Sequence, residues 1–127
     1  MSLFLILLAA GDSKRLKSST PKPFHKINNS TLLEYSLNAF KNNRKIKKIV
    51  LVYNKKHTKH LNKLKLKNIK KVVGGKTRQE STYNALKSIK GMKCRKVLIH
   101  DVARPNTSKK LIELIVKKLK KIMLLYQ

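Results

Sequence analysis

An α/β architecture built on a mainly parallel sheet is predicted by three features of the sequence. Four runs read as strands: Phe4–Leu8, Ile49–Val52 and Val97–Ile99 are continuously apolar, as in strands buried on both faces, and Ile69–Val73 is a short strand that includes Lys70 and Lys71. Stretches with helical spacing of apolar residues separate them, which is the pattern of strand and crossover helix. Three of the runs lead directly into short segments of small, polar and basic residues, and in a parallel sheet those segments share one edge. The expectation is a three-layer α/β domain occupying residues 1–127, or part of such a domain.

The first run passes into Ala9-Ala10-Gly11-Asp12-Ser13-Lys14-Arg15. Ala9, Ala10 and Gly11 carry little or no side chain, so the main chain can approach a ligand and aim its N–H groups at anionic oxygens. Lys14, Arg15 and Lys22 add the positive charge that a polyphosphate requires. The loop fits neither G-x-x-x-x-G-K-[ST] nor G-x-G-x-x-G, so taken alone it is equally a core strand followed by a turn. A signal peptide is disfavoured because Met1-Ser2 has no positive charge and the basic residues follow the run. The run is also far short of the roughly 20 apolar residues of a membrane span.

Pro21-Lys22-Pro23 is predicted to stiffen the loop's end and to disfavour helix there, which would hold Lys22 in place. Thr31-Leu32-Leu33-Glu34 has the capping-box pattern and opens a helix to about Asn43, with Leu33, Leu37 and Phe40 on its buried face. A strand over Lys48–Tyr53 follows, then a weak, very basic helical stretch from His57 to Leu66. His57 and His60 lack an acidic partner there and are assigned to a solvated face. Ile69–Val73 leads into Gly74-Gly75-Lys76-Thr77-Arg78-Gln79-Glu80-Ser81 and a helix to about Ile89. Two readings of this turn stand side by side: a surface for a flat or charged ligand, with Ser81 offering its hydroxyl, or a plain connection capped by Thr77 or Ser81. The strand in Arg95–His100 ends at Asp101, one of two aspartates in the chain. A carboxylate at the end of a central strand stands where open α/β sheets bind ligands. Beside a phosphate loop it suits Mg²⁺, which takes one or two carboxylates with phosphate oxygens. Ser108 caps a last helix that buries Leu111, Ile112, Ile115, Leu119 and Ile122.

Composition bears on function through its exceptions. The formal charge is +27, carried by 27 lysines and 5 arginines against 5 acidic residues. Such charge ordinarily suggests a nucleic-acid partner, but the lysines are spread along the chain among many Asn and Ile, the signature of AT-rich coding. A nucleic-acid face is therefore the less favoured reading. Against that background Arg15, Arg78 and Arg104, with Gly11, Gly74 and Gly75, fall in the three segments that follow strands. The single cysteine, Cys94, allows no internal disulfide and points to a reducing, cytoplasmic compartment. No zinc-type ligand spacing is present in the sequence. These residues imply a magnesium-dependent nucleotide site without naming the base.

Leu8-Ala9-Ala10-Gly11 with Lys14-Arg15 and Pro21-Lys22, Gly74-Gly75 through Arg78-Gln79 and Ser81, and His100-Asp101 with Ala103-Arg104-Pro105 resemble the three signatures of the 2-C-methyl-D-erythritol 4-phosphate cytidylyltransferases. The resemblance implies a Rossmann-like nucleotidyltransferase fold, a homodimer, and transfer of CMP from CTP to methylerythritol phosphate in non-mevalonate isoprenoid synthesis. It implies that Ala9, Ala10, Gly11, Asp12, Ser13 and Arg15 wrap the CTP phosphates, with Arg15 and Lys22 catalytic at the α-phosphorus. By the same resemblance Gly75, Arg78 and Ser81 bind the nucleotide, Asp101 binds Mg²⁺, and Arg104 reaches the second substrate's phosphate. Phosphoryl and nucleotidyl transfer need mainly in-line positioning and cations over the developing charge, which these residues supply.

The sequence departs from the family pattern at Pro23, commonly glutamine, at Ser13, commonly glycine, and at Val102, commonly alanine. The related ribitol-phosphate enzymes favour valine at the position of Ala103, so the isoprenoid reading is preferred. Family members are nearly twice as long, and the resemblance covers their N-terminal part. The ending Lys121–Gln127 reads unlike a helix approaching another strand, and the expectation is a frameshift in an adenine-rich stretch, which the nucleotide sequence tests. An inactive nucleotide-binding remnant is the remaining alternative.

Overall fold

The computed structural model describes residues 3–11, 20–41, 43–93 and 96–102. In chain order it contains β1 (Leu3–Ala9), a 3₁₀ turn (Lys22–Phe24), a small hairpin of β2 (Lys26–Ile27) and β3 (Ser30–Thr31), α1 (Leu32–Lys41), β4 (Ile46–Tyr53), a second 3₁₀ turn (Lys55–His57), α2 (Thr58–Asn62), β5 (Ile69–Val73), α3 (Arg78–Ser88) and β6 (Lys96–Asp101). The predicted helix from Ser108 and Cys94 lie outside the described residues.

All seven residues of β1 are buried, because the strand has neighbours on both edges and helices on both faces. The main sheet has the order β5-β4-β1-β6, and each of its pairings is parallel. Alternation along β1 divides the core in two. Leu3, Leu5, Leu7 and Ala9 pack with Leu33, Leu37 and Phe40 of α1 and Leu61 of α2. Phe4, Ile6 and Leu8 pack with Val50, Val52 and, from α3 and its end, Ala85 and Ile89. The result is the three-layer α/β arrangement expected from the sequence, with α1 and α2 on one face and α3 on the other.

Local chemistry explains the element ends. The capping box at α1 is formed as its pattern predicts: Glu34 N donates to Thr31 Oγ1 at 3.1 Å, and Thr31 N donates to Glu34 Oε1 at 2.9 Å. Leu33, Leu37 and Phe40 are buried, and α1 ends at Lys41, two residues before the predicted limit. The hairpin is new. Asn28 and Asn29 have φ of 52° and 73°, the left-handed pair that a two-residue turn requires, and Tyr35 of α1 donates its hydroxyl to Ile27 O at 2.6 Å.

Two local expectations are corrected. Pro21-Lys22-Pro23 does not exclude helical geometry, because Pro23 falls in the first turn, where its missing N–H costs nothing, and Lys22–Phe24 closes one 3₁₀ turn. His57 and His60 do not form a solvated face. Both are half-buried against Phe24, with ring centroids 6.3 and 5.3 Å away, since the phenyl ring needs cover that the short α2 cannot otherwise provide.

Leu33 has no exposed surface, whereas Tyr83 on the outer side of α3 is 64% exposed. Leu33→Ala is expected to lower unfolding free energy by about 2–5 kcal/mol and Tyr83→Ala by less than about 0.5 kcal/mol, read from urea midpoints.

Candidate functional site at the carboxyl edge of the sheet

From β1 the chain moves outward through β4 to β5, then returns to the opposite side of β1 as β6. Connections therefore leave β1 in opposite directions on its two sides, and in open α/β sheets that point opens a ligand crevice beyond the strand ends. Leu8 of β1 is in register with Asp101 of β6, which places the carboxylate beside the strand that feeds the Ala9–Gly11 segment.

Backbone hydrogen bonds carry the ladder past the strands and tie the loops together. Val102 N donates to Leu8 O at 3.1 Å, and Gly74 N donates to Tyr53 O at 2.8 Å. Asn54 Nδ2 reaches Ala10 O at 3.3 Å, while Asn54 Oδ1 accepts from Lys56 N and caps the second 3₁₀ turn. Sequence reasoning missed Asn54; a side-chain amide immediately after a predicted strand was the available signal.

The Gly74–Ser81 turn is a connection capped by Thr77, as one of its two readings expects. Thr77 caps α3, its Oγ1 accepting from Glu80 N at 3.0 Å, so the helix begins at Arg78 and Ser81 lies within its first turn. Ser81 is 4% exposed, and its Oγ accepts from Gly75 N at 3.1 Å. Glu80 Oε2 accepts from Lys76 N at 2.9 Å. Turn and helix are thereby locked as one piece. Gly74 is required by space: a Cβ there would overlap the Ala10 Cβ and lie 2.8 Å from Ser81 Oγ and 3.1 Å from Val52 Cγ1. The glycine lets the second loop rest directly on the first.

Val97 and Ile99 belong to the α3 side of the core, and alternation puts Asp101 on the same face. There it meets Arg78, the first residue of α3, whose Nε donates to Asp101 Oδ1 at 3.3 Å. The side chains are 62% and 33% exposed. Ala10, Gly75, Arg78, Ser81 and Asp101 thus stand at one rim on the α3 face. Lys22 stands on the other face: its turn buries Phe24 against the helical layer of α1, and Phe24 meets His57 and His60, which follow the carboxyl end of β4. The turn that carries the lysine therefore packs near the carboxyl end of β4. Gly11 ends the described part of the first loop. Asp12, Ser13, Lys14 and Arg15 there, with Arg104 beyond β6, lie outside the described residues.

Among the described residues no group of three His, Cys, Asp or Glu side chains is arranged to hold a metal ion. A single partly exposed carboxylate is the donor set that suits Mg²⁺ when phosphate oxygens complete the coordination.

The model for 2-C-methyl-D-erythritol 4-phosphate cytidylyltransferase (IspD) matches residues 3–124. The chain belongs to this family. It is 50% identical over 120 residues to the bifunctional enzyme IspD/IspF of Pelagibacter ubique, covering 94% of this chain and 32% of that protein. It is 40% identical over 114 residues to a Clostridium botulinum 2-C-methyl-D-erythritol 4-phosphate cytidylyltransferase, covering 86% and 49%. Among solved structures, the bifunctional IspDF of Campylobacter jejuni superposes with a TM-score of 0.78 at 30% identity, over 95% of this chain and 31% of that one. The Francisella tularensis IspD gives 0.74 at 31% identity, over 96% and 54%. The chain thus spans between a third and about half the length of these IspD relatives. The described parts of the three segments, Ala9–Gly11, Gly74–Ser81 and His100–Val102, end or follow strands of one parallel sheet.

Gly74→Ala is expected to cost about 1–3 kcal/mol through overpacking against Ala10 and Ser81. Among the described residues, nothing lies within 4 Å of a Cβ built on Gly11, and Gly11→Ala is expected to change stability by less than about 0.5 kcal/mol. Thermal melts of the two variants check the contrast.

Proposed function

We propose that this chain carries the nucleotide site for transfer of CMP from CTP to 2-C-methyl-D-erythritol 4-phosphate, with release of pyrophosphate, in the cytoplasmic non-mevalonate isoprenoid pathway. One observation carries the reading: Ala10, the Gly74–Ser81 turn and Asp101 converge at the switch point of the sheet, Gly74 wedged on Ala10 and Arg78 bonded to Asp101. Membership of a family described as 2-C-methyl-D-erythritol 4-phosphate cytidylyltransferase supports the choice of substrates, and the complete enzyme would be a homodimer.

In this reading the Ala9–Gly11 backbone, with Asp12 and Ser13, cradles the triphosphate. The cation on Arg15 would be set over the α-phosphorus, and Lys22 would approach from the α1 face, held by the buried Phe24. The Gly75 and Ser81 pair, already bonded to each other, presents a fixed edge to the cytidine, so little order is lost on binding. Asp101 would hold Mg²⁺, which supplies charge neutralisation at the phosphates. Arg104 would receive the phosphate of the second substrate. That phosphate is an anion already, so it attacks the α-phosphorus without a general base while the bond to the β-phosphate oxygen breaks.

A titration with CTP and Mg²⁺, followed by a pyrophosphate-release assay with methylerythritol phosphate set against ribitol phosphate, tests the proposal. Saturable CTP binding and release only with methylerythritol phosphate are expected. CTP binding without release identifies the nucleotide-binding remnant, and no CTP binding removes the proposal. In an active enzyme, Lys22→Ala or Arg15→Ala should lower kcat on the order of a hundredfold to a thousandfold, as for other lost transition-state charges; near-normal turnover would take those residues out of the mechanism.

A further inference from the structure

We propose that Arg78 is a displaceable counter-ion for Asp101, lowering this carboxylate's affinity for a divalent cation until a nucleoside triphosphate draws the guanidinium away. The inference rests on the reading of Asp101 as the metal-binding carboxylate and adds an order to the assembly of that site.

Three observations carry it. Among the described residues, Glu34 and Glu80 are committed to backbone N–H groups, of Thr31 and Lys76, while Asp101 is bonded only to a side chain. That bond is single and, at 3.3 Å, longer than the usual 2.7–2.9 Å of a charge-assisted contact. Both partners reach solvent, where such pairs are weak and readily exchanged. A free Mg²⁺ approaching Asp101 meets a positive charge already in place. Triphosphate oxygens change this balance twice, offering the guanidinium a stronger anion and the cation its remaining ligands.

The backbone around Arg78 does not have to move for the exchange. Thr77 caps the helix, Ser81 holds Gly75 and Glu80 holds Lys76, so the first turn of α3 is fixed and only the exposed side chain swings. The turn meets Ala10 from the β4 side of β1, while Asp101 lies on the β6 side. The Arg78–Asp101 bond therefore crosses the place where β1 delivers its loop. Nucleotide and cation binding are coupled through one side chain, and the coupling is reciprocal.

Mn²⁺ serves as the probe, its free concentration read by electron paramagnetic resonance without nucleotide. Protein-bound Mn²⁺–CTP is read separately by water-proton relaxation. Wild type, Arg78→Gln, Asp101→Asn and the double variant are compared. Without nucleotide, Arg78→Gln should bind Mn²⁺ about two- to fivefold more tightly than wild type, the range expected from releasing an exposed ion pair. The double variant should lose that gain, and Asp101→Asn should abolish the relaxation enhancement with CTP. Equal Mn²⁺ affinity in wild type and Arg78→Gln overturns the counter-ion role while Asp101 remains a ligand. A gain that persists in the double variant also overturns it. Unchanged enhancement in Asp101→Asn instead removes the metal-ligand reading itself.

Discussion

The burial of β1 on both faces and both edges is the constraint from which the other features follow. Its side chains alternate between two helical layers, so the face on which each later residue falls is decided by parity with β1. Through Leu8 and Ala10 that parity extends beyond the strand, onto the surface where Gly74 and Ser81 pack. Through the parallel pairing with β6 it also fixes the side of Asp101. A single-residue slip of β6 would turn the carboxylate toward Phe40 and the α1 layer, the position now held by His100, whose ring centroid lies 5.1 Å from that of Phe40. The sheet register is thus also the alignment of the candidate site.

Rigidity at the rim comes from continuing the sheet's own hydrogen bonding past its strands. The bonds from Gly74 to Tyr53 and from Val102 to Leu8 each satisfy a carbonyl near a strand end that would otherwise lack a ladder partner. With those carbonyls engaged, the opening is bordered by groups that favour anions: small-residue backbone, the start of α3 and the side chain of Arg78. The same bonding limits what can be asked of Ser81. Its oxygen already accepts from Gly75, and its burial makes it a brace for the turn as much as a surface for a ligand.

Strands, layers and the loop positions were legible in the sequence because they depend on apolar runs and their spacing. Ile69–Val73 has the bounds its apolar residues imply, and the Thr31–Glu34 capping box forms the reciprocal bonds its spacing encodes. What escaped was set by contacts between distant residues. Nothing near His57 or His60 announces Phe24, more than thirty positions earlier, as their packing partner. The amide of Asn54 finds Ala10 across forty-four positions, and Arg78 finds Asp101 across twenty-three. The Asn28-Asn29 turn was a local signal, but two-residue strands lack the period that would mark them as a hairpin.

The identity of the cation beside Asp101 has a physical logic of its own. Lysine makes up 27 of the 32 cationic residues, yet the described partner of this carboxylate is an arginine. An ammonium is a compact charge that must leave one anion to serve another, whereas a guanidinium is a planar fork with five donors. Arg78 uses Nε toward Asp101, which leaves its terminal nitrogens able to engage an arriving phosphate before the first bond is broken. The exchange can then proceed through a shared state, with no interval in which the carboxylate or the guanidinium stands without a partner. In a chain of formal charge +27, where free cations are plentiful at the surface, it is this geometry, and not charge alone, that suits the residue to a crossing point between two loops.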